Sequence, residues 1–291
     1  MGNQDFEHIE LDDGRLVCSS HGLVICGRCC VDYSFMDKGS ENSDDEPYQP
    51  ANVSSRLELS QNNAFNDLDF SLRKGTGKVL PTVFMPPSSA TTHTLFPAGT
   101  SLRAIPEVTR FIHHDDPKPF LIYTDGACLN NGQENPRAGW AFVFRPRQSN
   151  ATTYVTGRLE NKGPFGDDQS QTSNRAELRA IIGALRFRHW NGEGFTRLVF
   201  ATDSEYVVKG ATAWVSGWLR KGWKTSSGDR VKNRDLWEAL LGELERWNVH
   251  GMRIQFWKIP REWNIEADQL AKEAARGANN DEFTQPLGVL C

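Results

Sequence analysis

Two apolar runs in this chain close in the same way. FLIYTD (120–125) and RLVFATD (197–203) each read as a buried strand that stops on Thr-Asp, at Asp125 and Asp203. Branched and aromatic residues in runs of this length form strands. A carboxylate at the end of such a strand is expensive to desolvate unless something compensates it. Two compensations are open. Gly126 follows Asp125, so Asp-Gly could simply turn the chain; alternatively the carboxylate holds a cation or takes part in chemistry. Parallel neighbouring strands would bring both carboxylates to one sheet edge.

The surrounding sequence fits an α/β domain. Further strand-like runs are GWAFVFR (139–145), TTYVTGRL (152–159) and MRIQFWKI (252–259), and helix-like stretches cover 174–189, 204–221, 232–248 and 264–277. Leu178, Ile181, Ile182 and Leu185 recur on one face at helical spacing, and Gly277 gives the last helix a normal stop. Three strands, a helix, a strand, helices, a strand and a final helix describe a mixed domain over residues 118–277. Because hairpins come first, a wholly parallel sheet is excluded.

The rest of the 291 residues differ in texture. The first fifty carry eleven Asp/Glu against three Lys/Arg, while the whole chain has a net charge of −4. The downstream part is therefore mildly basic, which permits a nucleic-acid partner without requiring one. Residues 1–14 read as a disordered acidic N-terminus, 37–117 as a largely disordered linker interrupted by VLPTVFMPP (79–87) and LFPAG (95–99), and 278–291 as a tail. No apolar run is long enough to span a bilayer, so no membrane partner is expected. Neither a secretory nor a mitochondrial signal is apparent.

Four of the six cysteines crowd into RLVCSSHGLVICGRCCVDYSFM (15–36). Cys18-x2-His21 and Cys26-x2-Cys29 are two tight chelating pairs of the kind tetrahedral zinc requires. Buried or redox-labile thiols are the other reading. Four ligands would close a zinc site, which points to a structural module able to hold a protein partner. The cysteine usage places the chain in a reducing compartment, nucleus or cytoplasm.

Two more acids stand at element ends: Glu177 in SNRAEL and Asp268 in NIEADQLA. Each has an ordinary explanation taken alone. Glu177 and Asp268 suit a helix dipole in the first turn, and Asp203 suits an N-cap. Together they belong to a set. YTDGACLNNG (123–132), QTSNRAEL (171–178), ATDSEYVVKG (201–210), WLRKGWKTSSG (218–228), VKNRDLW (231–237) and NIEADQLAKEA (264–274) occur in the order and spacing of one family. The region from 118 to 277 resembles a type 1 ribonuclease H domain.

The resemblance implies a five-stranded mixed sheet, its first three strands antiparallel, with helices on both faces. It implies an endonuclease that hydrolyses the RNA strand of RNA–DNA hybrids without sequence preference and leaves 5′-phosphates. It also implies that Asp125, Glu177, Asp203 and Asp268 converge on two Mg²⁺ ions, with Mn²⁺ able to substitute. Carboxylates are what a hard cation wants, and a pair of such ions suits an in-line phosphoryl displacement. By position, Gly126, Asn131, Ser173, Asn174 and Glu205 match hybrid-contacting groups, with Gly126 letting backbone approach the substrate. Tyr206, Trp218 and Ser226 match a channel for the DNA strand, and Thr172 and Asn233 a DNA phosphate pocket.

The chain departs from the family in four places. Ser173 stands where Asn is common, and Ser170 where an Arg often completes the phosphate pocket. The loop before the last carboxylate, WKIPREWNIEAD (257–268), holds no His for proton transfer; Arg261 and Glu262 occupy its middle. The basic hybrid-binding domain of many eukaryotic members is replaced by the Cys-rich segment. Two other readings follow from these departures: a hybrid-binding protein of this fold with little or no cleavage, and a zinc-module adaptor. Oligomeric state is left open.

Overall fold

The computed structural model describes residues 8–12, 16–19, 22, 24–26, 31–32, 71–104, 107–148 and 151–288. Short strands β1 (His8–Glu10) and β2 (Leu16–Cys18) pair antiparallel, as do β3 (Ile25–Cys26) and β4 (Val31–Asp32). The remaining elements, in order, are β5 (Thr82–Val83), α1 (Thr92–Leu95), β6 (Ala98–Thr100), β7 (Thr109–Ile112), β8 (Pro119–Leu129), β9 (Arg137–Val143), β10 (Tyr154–Arg158), α2 (Ser173–Phe187), β11 (Arg197–Thr202), α3 (Glu205–Lys209), α4 (Val215–Arg220), α5 (Arg234–Val249), β12 (Arg253–Lys258) and α6 (Ile265–Ala274).

The sheet runs β10-β9-β8-β11-β12-β5, with the β6–β7 hairpin attached to β8. β8, β9 and β10 are antiparallel, and β11 and β12 run parallel to β8. These five are the strands the resemblance implies. The sheet nevertheless has eight, because β5, β6 and β7 come from the segment read as linker. That reading is corrected for residues 71–104 and 107–117. β7 pairs Phe111 with Leu121, β5 pairs Val83 with Phe256, and Leu95, Phe96, Phe111 and Ile112 are buried. Strands of two to four residues are too short to give a sequence periodicity of their own. Their order comes from the backbone edges they dock on. Residues 37–70 lie outside the described ones.

β8 is long enough for its two halves to have different partners. Its first half pairs with β7 and β11, and its second half with β9. Side chains alternate between faces along it. Phe120, Ile122 and Cys128 join the large core under α2 and α5, while Leu121, Tyr123 and Ala127 face the other side, where Ala127 packs on Ala271 of α6. An apolar stripe seats α2 on the sheet: Leu178, Ile181, Ile182 and Leu185 are fully buried. The helical region 205–220 is continuous through a π-helical turn at Gly210–Trp214, where a Cβ on Gly210 would strike the Trp237 indole. The C-terminal tail also packs. Arg179, ion-paired with buried Glu160, lies between the rings of Trp140 and Phe283 and donates to the Thr284 carbonyl. Among the described residues, no helix is long and apolar enough to cross a membrane.

Candidate active site

The register of the parallel pair sets the first two carboxylates side by side. Ala201 lies opposite Tyr123, so two residues further on Asp203 comes level with Asp125. β8 does not end there, contrary to the reading of its Asp-Gly as a terminator. It runs on to Leu129 because β9 still pairs with it, Asp125 opposite Ala141. β11 stops at Thr202, so Asp125 sits where one neighbour ends and the other continues.

Glu177 is brought in by a glycine. A Cβ on Gly126 would collide with the α2 backbone at Ala176 and Glu177. Its missing side chain thus has a duty inside the fold, letting α2 lie against β8. Glu177 is the fifth residue of α2 rather than a first-turn acid, so the helix dipole does not explain it. Asp268 comes from the first turn of α6. The capping role considered for Asp203 belongs to Ser204, whose hydroxyl accepts from Val207 N at 3.2 Å.

The four carboxylates act on one another. Burial first, and then the charges of Asp203 and Asp268, hold the Asp125 carboxyl well above the usual carboxylate range. Glu177 is raised likewise, by burial and then by Asp125 and Asp203. Positive charge is supplied locally by Arg261, which donates to Asp268 Oδ1 at 3.0 Å and lies 3.9 Å from Asp203 Oδ2. Burial pulls the Arg261 pKa down, but Asp203 and Asp268 more than offset this and raise it. Lys272 Nζ holds the other Asp268 oxygen at 2.8 Å.

Two residues of this site had no assigned role in the sequence. Arg261 is the middle of the loop that lacks a His. Asn264, fully buried, donates from Nδ2 both to the Thr124 carbonyl at 3.0 Å and to Asp203 Oδ1 at 2.7 Å. It ties the α6 entrance to β8 and aims the Asp203 carboxylate. Its Oδ1 is buried without a hydrogen-bond partner. The only hint in the sequence was its place before IEAD, since both contacts span more than sixty residues.

The substrate-facing candidates fall into separate groups. Asn131 and Ser173 meet directly, Nδ2 donating to Oγ at 3.1 Å, beside Asn174 in the first turn of α2. Thr172 is the α2 N-cap, its hydroxyl accepting from Arg175 N at 3.3 Å. Glu205 opens α3 and pairs with Lys209. Tyr206 does not present a ring to solvent: it is 4 % exposed, inside the core cluster. The place expected of it in the lining of a DNA-strand channel is corrected accordingly. Its hydroxyl instead accepts from Trp237 Nε1 at 2.9 Å and from Asn233 Nδ2 at 3.2 Å, fixing Asn233, which has a left-handed backbone at the start of α5. Trp218 is half-buried, edge-on to Trp237, and Ser226 lies on an exposed turn. The proposed zinc ligands cannot be placed: Cys18 and Cys26 lie in β2 and β3, but their side chains, with His21 and Cys29, fall outside the described residues.

A mixed sheet that gathers four carboxylates at the end of a parallel strand pair, with oxygen donors only, defines a hard-cation site suited to phosphoryl chemistry. The sequence comparisons give the family. The RNase H family model matches residues 117–276, more than half of the chain, and the chain belongs to that family. It is 38% identical over 161 residues to a ribonuclease H of Treponema pallidum subsp. pallidum, covering 54% of this chain and 90% of the relative. To ribonuclease HI of Xylella fastidiosa (strain 9a5c) it is 42% identical over 129 residues, 44% of this chain and 74% of the relative. To ribonuclease H1 of Homo sapiens it is 36% identical over 161 residues, 54% of this chain and 50% of the relative. A crystal structure of a type 1 RNase H with the type 2 active-site motif shares 31% identity over 54% of this chain and 72% of that one, with a TM-score of 0.36. The chain is a ribonuclease H, dependent on a divalent cation.

Proposed function

We propose that residues 117–276 hydrolyse the RNA strand of RNA–DNA hybrids, with Asp125, Glu177, Asp203 and Asp268 holding two Mg²⁺ ions. The convergence of these four side chains from β8, α2, β11 and α6 is the observation that carries this reading. The donor set fits the metal. All four are hard oxygen ligands, and Asp125 and Glu177 are held in a buried cluster whose repulsion a divalent cation relieves. When bound, the cations supply activation of the attacking water and neutralisation of charge at the leaving 3′ oxygen.

The chain's own groups prepare this chemistry. Asn264 fixes the Asp203 carboxylate in one rotamer, so that oxygen is aimed before any ligand arrives. Arg261 and Lys272 hold Asp268 from two sides and lower the charge the cluster presents. Asn131, which bonds Ser173 at the start of α2, and Ser173 and Asn174 themselves are the candidates for contacts with 2′-hydroxyls, the groups that distinguish RNA from DNA. Glu205 stays with those hybrid contacts, and Asn233, held by Tyr206, with Thr172, Trp218 and Ser226 are the candidates for the DNA strand. For the segment before residue 36, zinc held by Cys18, His21, Cys26 and Cys29, and a protein partner bound through it, stay with this proposal on sequence grounds. Residence in the nucleus or cytoplasm stays on the same grounds.

A hybrid labelled separately on each strand tests the assignment. With Mg²⁺, the RNA strand is expected to be cut internally while the DNA strand stays whole, and the same RNA in an RNA duplex resists. Intact RNA at high enzyme with both Mg²⁺ and Mn²⁺ would reduce the chain to a binding protein.

A further inference from the structure

The corner between β7 and β8 carries HHDD (113–116), a sequence the nuclease site does not use. It lies at the start of β8, away from the carboxylates. Asp125 is six residues along the strand from Pro119, about 20 Å at the usual strand rise. The backbone of the corner is pinned: His113 N donates to the Pro119 carbonyl at 3.1 Å and His114 N to the Leu95 carbonyl at 2.9 Å.

The side chains are gathered as well. One ligand atom each from His113, His114 and Asp115 lies within 4.8 Å of the others. The two imidazoles stack at 5.1 Å and 30°, and the edge of His113 is braced against Phe96 at 5.2 Å. His114 Nε2 already stands 3.1 Å from Asp115 Oδ2. His113 Nδ1 accepts a long contact of 3.3 Å from Asp115 N, a bond that a cation on this nitrogen would displace. Asp116 takes no part, being engaged by Arg197 and by Lys118 N at 3.0 Å. His113 is half-buried, while His114 and Asp115 are exposed.

Two neutral imidazoles and one carboxylate make a donor set for a borderline divalent ion and a poor one for Mg²⁺. Ligand distances of about 2.0–2.1 Å need donor atoms about 3.3 Å apart, which small rotations at His114 and Asp115 provide. We propose that His113, His114 and Asp115 form a second metal site, for one zinc-like transition cation, separate from the catalytic carboxylates. It has three protein ligands, so the remaining coordination is completed by water or by a donor from a bound molecule.

The full-length protein with isotopically labelled histidines tests this. Zn²⁺ in several-fold excess over the cysteine segment, the carboxylates and this corner at pH 7.5 is expected to shift the ring resonances of both His113 and His114, and the same excess of Mg²⁺ to leave them in place. Equilibrium dialysis should then find one Zn²⁺ fewer per chain in the His113→Ala/His114→Ala variant than in the wild type, with hybrid cleavage unchanged. The difference is needed because the cysteine segment and the carboxylates can take zinc too. Unmoved ring resonances in the wild type would overturn the site even if the variant failed to fold. Equal zinc content in a folded variant would overturn it as well, leaving a hydrogen-bonded turn with an ion pair.

Discussion

Asp125 shows how one residue can be costly in one state and necessary in another. Its carboxyl is raised by burial and by Asp203 and Asp268, so without a cation it destabilises the fold at neutral pH. A carboxyl whose folded pKa exceeds its unfolded one has no penalty well below the usual carboxylate range. The penalty grows as pH rises from the unfolded toward the folded pKa and is complete above it. Asp125→Asn is therefore expected to raise the Tm of the metal-stripped protein at pH 7.5 by about 2–4 °C, and by little at pH 3.5. A lower Tm at neutral pH would mean that the carboxylate is already compensated. Asn264 is the converse case, a neutral residue with a local duty. Asn264→Ala should lower cleavage about 10–100-fold, as loss of a ligand-orienting partner does, with a higher Mg²⁺ requirement and little change in hybrid affinity. Of these two residues only Asp125 was legible beforehand. A carboxylate directly after a strand is visible in one short window, whereas the contacts of Asn264 and Arg261 join segments far apart in sequence.

At the scale of elements, long periodic segments were readable and short docked ones were not. α2 and β8 advertise themselves through apolar spacing and run length, and their observed bounds differ by a few residues from those expected. The alignment of Asp125 with Asp203 was foreshadowed by the repeated Thr-Asp after an apolar run, although only β11 stops there. β5, β6 and β7 carried no such signal, and the proline-rich segment around them reads as linker until the sheet edges that receive it are known. Tyr206 failed for a related reason: motif position marks it, but only the packing of α3 on α5 shows the ring buried and the hydroxyl used as an acceptor. Phe96 measures how far the segment read as linker belongs to the domain. It is fully buried, with ring contacts to Phe84 at 5.6 Å and Trp257 at 6.3 Å. Phe96→Ala should cost about 3–5 kcal/mol and lower Tm by about 10 °C, read by thermal melting. A change within about 1 °C would return residues 71–117 to the status of a loosely attached linker.

For the whole molecule, the fold is a means of holding four acids at one place from four elements that arrive from different directions. The sheet sets Asp125 and Asp203 level, Gly126 admits α2 with Glu177, and Asn264 closes α6 onto β8 with Asp268 one turn further on. The replacement of a loop His by Arg261 alters the charge around this cluster without removing any of its carboxylates. The decisive measurement is single-turnover cleavage of an RNA–DNA hybrid by the wild type, Asp125→Asn and Asp203→Asn, each shown to bind the hybrid. Mg²⁺-dependent cleavage by the wild type is expected, falling on the order of 10³-fold or more in either variant while hybrid binding persists. Undiminished cleavage in a variant, or none by the wild type with Mg²⁺ or Mn²⁺, would contradict a nuclease built on these carboxylates.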